Sequence, residues 1–218
     1  MAQSNYERTQ REMEKAFLSY DQEVMLRKFP LRCDVHYLYL RFLGRDYRIE
    51  RSSGKVSWSE DAFASATEAG YNEAMTLYDL LCSSKEGCQL SGSFVNMKSM
   101  SAIRGSSIAL GSGLFERQAQ RLDRRDAALA MACEKLGGVR TGRGDVAYQI
   151  PVFDFLPVLF QFWNSDEEFA ASIELFWDSN VLDFVHYETV WYAASHLLAR
   201  ICEEMEAAER ADRGSGIK

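Results

Sequence analysis

Residues 153–191 read FDFLPVLFQFWNSDEEFAASIELFWDSNVLDFVHYETVW. Val158, Phe160 and Phe162 alternate with Leu159, Gln161 and Trp163, and Ile173, Leu175 and Trp177 alternate with Ser172, Glu174 and Phe176. A period of two belongs to the strand, whose successive side chains leave opposite faces. The polar stretch Asn164 to Ala170 between the two runs predicts an acidic loop joining a pair of strands. Upstream, Val146, Tyr148 and Ile150 repeat the alternation. Pro151 and Pro157 then bracket Val152 to Leu156, where the missing ladder donors weigh against a central strand. Downstream, a helix is expected from about Val181 to Ala208, with Leu182, Val185, Tyr192, Leu198 and Met205 turned inward and Asp178 capping its start through Asn180.

The N-terminal part opens on the spacing of a capping box, Ser4 with Glu7, followed by Met13, Phe17, Tyr20 and Val24 on one helical stripe that Phe29-Pro30 should close. From Cys33 the period becomes two. His36 to Leu40, Tyr47 to Ile49 and Val56 to Trp58, separated by Gly44 and by Ser52-Ser53-Gly54, predict three short antiparallel strands. A second capping box, Ser57 with Glu60, predicts a helix with Phe63, Ala66, Ala74, Leu77, Tyr78 and Leu81 on its inner face. Ser83 to Gly113 is rich in Gly and Ser and reads as a long loop with room for one short strand. Phe115, Ala119, Leu122, Leu129, Cys133 and Leu136 mark one further helix, stopped by Gly137-Gly138.

These elements define an α+β fold in which antiparallel sheet segments pack with several helices, two similar halves being among the arrangements they allow. The expected organisation is one domain over 1–210 with a seam near 84–113, and a flexible tail at 211–218. At 218 residues the chain is long enough to bury about 70% of its extended surface. Its composition of 47% hydrophobic and 26% charged residues is that of a globular domain.

A formal charge of -7 works against undirected nucleic-acid binding, which needs a concentrated basic surface. Arg117, Arg121, Arg124, Arg125, Arg140 and Arg143 are diluted by Glu116, Asp123, Asp126 and Asp145. The expected partners are therefore a protein or a small molecule, with no nucleic acid. The N-terminus has no apolar signal core and no apolar run reaches spanning length, so membrane insertion is not expected and the cytoplasm is the expected location. Five scattered cysteines, the closest pair being Cys82 and Cys88, fit neither a disulfide framework nor a tight metal-ligand spacing.

The ligand-binding candidates are Trp163 with Asp166, Glu167 and Glu168 in the loop, and Glu188 with His196 on the last helix. The loop carboxylates also suit a solvated turn, and adjacency alone gives them no chemistry unless burial or a cation alters them. Glu188, Tyr192 and His196 recur every four residues, with Arg200 next, so that a carboxylate could orient the imidazole. No nucleophile accompanies them. Gly105-Ser106-Ser107 and Gly111-Ser112-Gly113 lack the lysine and hydroxyl residue of a phosphate loop. No residue is assigned a catalytic role, and neither a cofactor nor a metal ligand is assigned.

Gly144-Asp145-Val146-Ala147-Tyr148, Phe155-Leu156-Pro157-Val158 with Trp163, Asp166-Glu167-Glu168-Phe169 and Leu175-Phe176-Trp177-Asp178 together resemble an uncharacterised bacterial and archaeal family, domain of unknown function 3786. Attachment of some members to an iron–sulfur domain implies an accessory place in a redox or cofactor pathway, and the resemblance carries no catalytic residue. From the residues themselves, a noncatalytic ligand- or protein-binding domain is the leading expectation. A small-molecule enzyme using the acidic site near Trp163 is the alternative.

Overall fold

The computed structural model describes residues 5–100 and 112–215. Two compact units emerge, one of Met1–Ser91 with Asn180–Ala193 and one of Gly92–Ser179 with Ala194–Lys218.

The first unit begins with α1 (Asn5–Phe17) and α2 (Gln22–Lys28). The expected single helix is thus two, and the serine of its proposed capping box, Ser4, lies outside the described residues. The break has a local cause. The Ser19 hydroxyl donates to the Ala16 carbonyl at 2.6 Å, and Asp21 accepts the Glu23 N–H at 2.9 Å, which starts a new helix.

A five-stranded antiparallel meander follows, in the order β1 (Arg32–Cys33), β2 (Tyr37–Phe42), β3 (Arg45–Glu50), β4 (Val56–Ser59) and β5 (Thr67–Glu68). The β2–β3 turn is Leu43-Gly44 with φ of 45° and 79°, the doubly positive pair that matches the twist of a tight hairpin. Alternation sorts the sheet. Leu38, Leu40, Phe42, Tyr47, Ile49 and Val56 are buried, while the residues that alternate with them within β2 and β3 are half-buried or exposed.

The third helix, α3, spans Tyr71–Ser83, so the helix expected from Ser57 starts later. Ser57 is instead a strand residue that accepts from Arg48, and Glu60 pairs with Arg45. Gly70 is the cap: its N–H donates to the Glu73 carboxylate, which also holds the Tyr47 hydroxyl, so one side chain starts the helix and ties it to the sheet. At the other end Lys28 Nζ donates to the carbonyls of Leu81 at 3.2 Å and Ser84 at 2.8 Å.

In the second unit β6 (Phe94–Asn96) supplies the short strand expected in the Gly-Ser region, of which 101–111 lie outside the described residues. The helix expected across 115–136 is two helices, α4 (Ser112–Leu122) and α5 (Asp126–Lys135), separated by Arg124 at φ 59°. They are followed by β7 (Val139–Arg140), β8 (Val146–Phe153), β9 (Leu156–Trp163) and β10 (Ser172–Asp178). The sheet order is β6-β10-β9-β8-β7, antiparallel throughout.

Strands β8 and β9 run through both prolines. Pro151 and Pro157 face each other beside a bulge at the closed end of the hairpin, past the last pairs with β7 and β10, so no flanking ladder needs their donors. Val146, Tyr148, Ile150, Val158, Phe160, Phe162, Ile173, Leu175 and Trp177 are all buried, and α4 and α5 pack on β10 and β8. Two five-stranded antiparallel sheets with helices make the protein α+β.

The expected last helix is interrupted. A single turn, α6 (Val181–Phe184), ends at extended Val185, and α7 (Tyr187–Ser215) begins at His186, whose backbone N–H and ring Nδ1 both meet the Asp79 carboxylate, at 2.7 and 2.6 Å. Asp178, the last residue of β10, precedes the α6 turn. Buried at 1% exposure, its carboxylate accepts the Gly92 N–H at 2.9 Å.

Candidate functional site

The acidic loop between β9 and β10 borders a cleft of about 790 Å³ in the second unit. Three segments supply its lining: Arg124 and Asp126 from the α4–α5 junction, Asp145 ahead of β8, and Trp163 to Asp166 with Phe169, Ala170 and Ser172.

Asn164 is the hub of this architecture. Its carbonyl oxygen accepts the Arg124 N–H at 2.7 Å, and its Nδ2 donates to Asp126 Oδ1 at 2.9 Å and to Asp145 Oδ2 at 3.3 Å. Asp145 Oδ2 also takes the Asn164 backbone N–H at 2.7 Å. One residue along, Ser165 gives its N–H and hydroxyl to the two oxygens of Asp123, at 2.9 and 2.6 Å, and its carbonyl receives the Arg124 guanidinium. These bonds fix Arg124 in the left-handed region, which few non-glycine residues enter unaided. Gly144 completes the junction at φ 97°. An added Cβ there would lie 2.8 Å from the Phe162 carbonyl, which receives the Asp145 N–H at 2.9 Å.

Asp166 closes the loop on itself. Oδ1 accepts the N–H groups of Glu168 at 2.9 Å and Phe169 at 2.7 Å, while the Asp166 N–H donates to the Phe169 carbonyl at 2.9 Å. This turn holds Phe169 out at 70% exposure on the lining of the cleft. The Glu168 and Phe169 amides draw the Asp166 carboxyl below the usual carboxylate range, and the Ser165 hydroxyl and amide do the same for Asp123.

Of the residues singled out from sequence, Trp163 and Asp166 line the cleft. Glu167 and Glu168 sit in the same turn, exposed and outside the lining. Glu188 is exposed in the first turn of α7, and His196 is buried at 8% exposure on that helix, so the cleft collects neither. Asn164, Asp145, Asp123 and Arg124 do not stand out in the sequence as one site. Their sequence signals are a short amide directly after a strand and a Gly-Asp pair directly before one, while the helical stripe keeps step from Leu122 to Leu129 and hides the break at Arg124. Among the described residues no group of three or more His, Cys, Asp and Glu side chains is placed to hold a metal ion, and no helix is long and apolar enough to cross a membrane.

Fold and cleft together define a class: an α+β protein with a cleft lined by carboxylates and two aromatic rings, bordered by a loop that Asn164, Asp123 and Asp145 brace. The chain belongs to the family described as Domain of unknown function (DUF3786), which it matches over residues 21–200. No curated protein and no solved structure matches it.

Proposed function

We propose that the protein is a noncatalytic binding domain whose cleft receives a cationic group with an apolar flank, carried by a small molecule or a partner protein. One observation carries this reading. Phe169, a large apolar side chain, is held out in water by a built turn beside Trp163, with Asp126, Asp145 and Asp166 along the same lining against the single cation of Arg124. Exposed rings beside carboxylates suit an ammonium or guanidinium on an aliphatic stem.

The bracing carboxylates favour binding over chemistry. Asp123 and Asp166 have pKa values below the usual range, moving away from the near-neutral value that a proton shuttle needs. Fluorescence of the partly exposed Trp163 reports on the site. Titration with arginine- and lysine-bearing peptides and with agmatine should give a saturable change, abolished by Phe169→Ala or Trp163→Phe. No saturable change with any of these probes, or one of equal amplitude and midpoint in Phe169→Ala, overturns the proposal.

A further inference from the structure

The outward face of the first sheet carries a row that crosses all five strands, in which Arg32, Tyr39, Arg48, Ser57 and Glu68 are paired neighbour to neighbour. The Arg48 guanidinium lies between two rings, 4.4 Å from the centre of Tyr37 and 4.6 Å from that of Phe63, and its Nε donates to Ser57 Oγ at 3.2 Å. Arg32 lies over Tyr39 at 4.4 Å. The rings themselves form one cluster, with Tyr37–Tyr39 and Tyr39–Phe63 centroids 6.0 and 5.7 Å apart.

The charges on this sheet are not treated alike. Arg41, Arg45 and Arg51 each meet a carboxylate, that of Asp46 at 3.6 Å, Glu60 at 3.1 Å and Glu23 at 3.2 Å. Among the described residues Arg32 and Arg48 meet rings and no carboxylate. Two rings lie against the Arg48 guanidinium and Ser57 takes its Nε, while among the described residues its Nη pair meets no acceptor, a fork of parallel donors that matches an oxyanion.

The arrangement is also held at a cost. Ala62 and Phe63 both have positive φ, 55° and 67°, a conformation that persists only where its surroundings enforce it. The Ser59 hydroxyl accepts the Phe63 N–H at 2.9 Å and donates to Asp61 at 2.6 Å, and Asp61 in turn takes the Ser65 N–H and hydroxyl at 3.0 and 2.7 Å. That network places the Phe63 ring on Arg48.

We infer that this face docks an acidic segment of a partner protein, with Arg32 and Arg48 each receiving a carboxylate and the tyrosine rings making the apolar contact. Tyr and Arg are the residue types that dominate binding energy at protein interfaces. The outward face of an open sheet is broad, where a small anion prefers a concave site. Each ring already gives one face to a guanidinium, which leaves little open ring for base stacking, so a peptide fits better than a nucleic acid. The two arginines stand two inter-strand steps apart, about 10 Å, a span that a peptide in the polyproline II conformation, with three residues per turn and a rise of about 3.1 Å, covers with acidic residues three apart on one side.

The test is fluorescence anisotropy of a labelled peptide Gly-Glu-Ser-Ser-Glu-Gly and of its glutamine counterpart, at about 50 mM salt to limit screening. Wild-type protein should bind the glutamate peptide saturably and not the glutamine one. Arg32→Gln and Arg48→Gln should each weaken binding about tenfold or more, Arg48→Lys should weaken it too by losing the fork, and Arg41→Gln should leave it unchanged. Thermal melts show which variants remain folded. Should Arg48→Gln unfold, the exposed Arg32→Gln decides alone. Absence of binding by the wild type, equal binding by Arg32→Gln, or tighter binding of an oligothymidine lost in the same variants overturns the assignment.

Discussion

The side-chain carbonyl of Asn164 accepts the backbone N–H of Arg124 at 2.7 Å across 40 positions of sequence, while its amide nitrogen lies 2.9 Å from Asp126 and 3.3 Å from Asp145. An amide is the only common side chain of this size that accepts from a backbone donor and donates to two carboxylates at once. Asn164→Ala should therefore cost about 1–3 kcal/mol in denaturant unfolding. Asn164→Asp keeps the acceptor but brings a third carboxylate beside two others. It should be the more destabilising at neutral pH, and the gap between the two variants should narrow below about pH 4, where carboxylates protonate. A gap independent of pH would contradict this role.

Gly144 tests the same junction from the backbone side. At φ 97°, with a Cβ only 2.8 Å from the Phe162 carbonyl, Gly144→Ala meets both a disfavoured conformation and a backbone clash. A loss of about 1–3 kcal/mol is expected. Amide exchange at Asp145 should accelerate with it, because its N–H donates to that carbonyl.

Acid should open the β9–β10 loop before it unfolds the protein. Asp166 and Asp123 have folded pKa values lowered by hydrogen bonds, so the unfolded form binds protons first as pH falls. Their contribution is complete above the unfolded value near 3.9 and is lost as pH drops through the folded one. Trp163 emission should therefore change below about pH 4, and Asp166→Asn should remove much of that step. An acid transition identical in Asp166→Asn would show that the turn does not depend on the charge.

Thiol reactivity should follow burial. Burial pushes the Cys82 and Cys133 thiols up to about 12 and raises those of Cys202 and Cys88, while Cys33 is exposed on a short edge strand. Because the thiolate is the reactive form, alkylation of native protein at about pH 8 should label exposed Cys33 first, half-buried Cys88 more slowly, and buried Cys82, Cys133 and Cys202 only on unfolding. Mass mapping of the modified peptides checks the order.

Hydrophobic period marks a strand wherever one of its faces lies in the core. Leu38 and Leu40, or Phe160 and Phe162, must be apolar at every second place because a slip of one residue would expose them all. It fails at the breaks. Nothing in the stripe of apolar residues reveals that a helix stops at Ser19, at Arg124 or at Val185, because each stop is made by a side chain bonding to the backbone in place of the helical ladder.

Sequence by itself determined the α+β class, the order of the long strands and the presence of an acidic turn beside Trp163, since hydrophobic periodicity is a local property that burial enforces residue by residue. Only the tertiary structure decided which polar groups meet. Asp123 with Ser165, Asn164 with Asp145 and Asp79 with His186 are separated by 42, 19 and 107 positions. Such pairings depend on where the sheets bring the chain back. The cleft, the engaged state of its carboxylates and the guanidinium stack on the first sheet are products of that return.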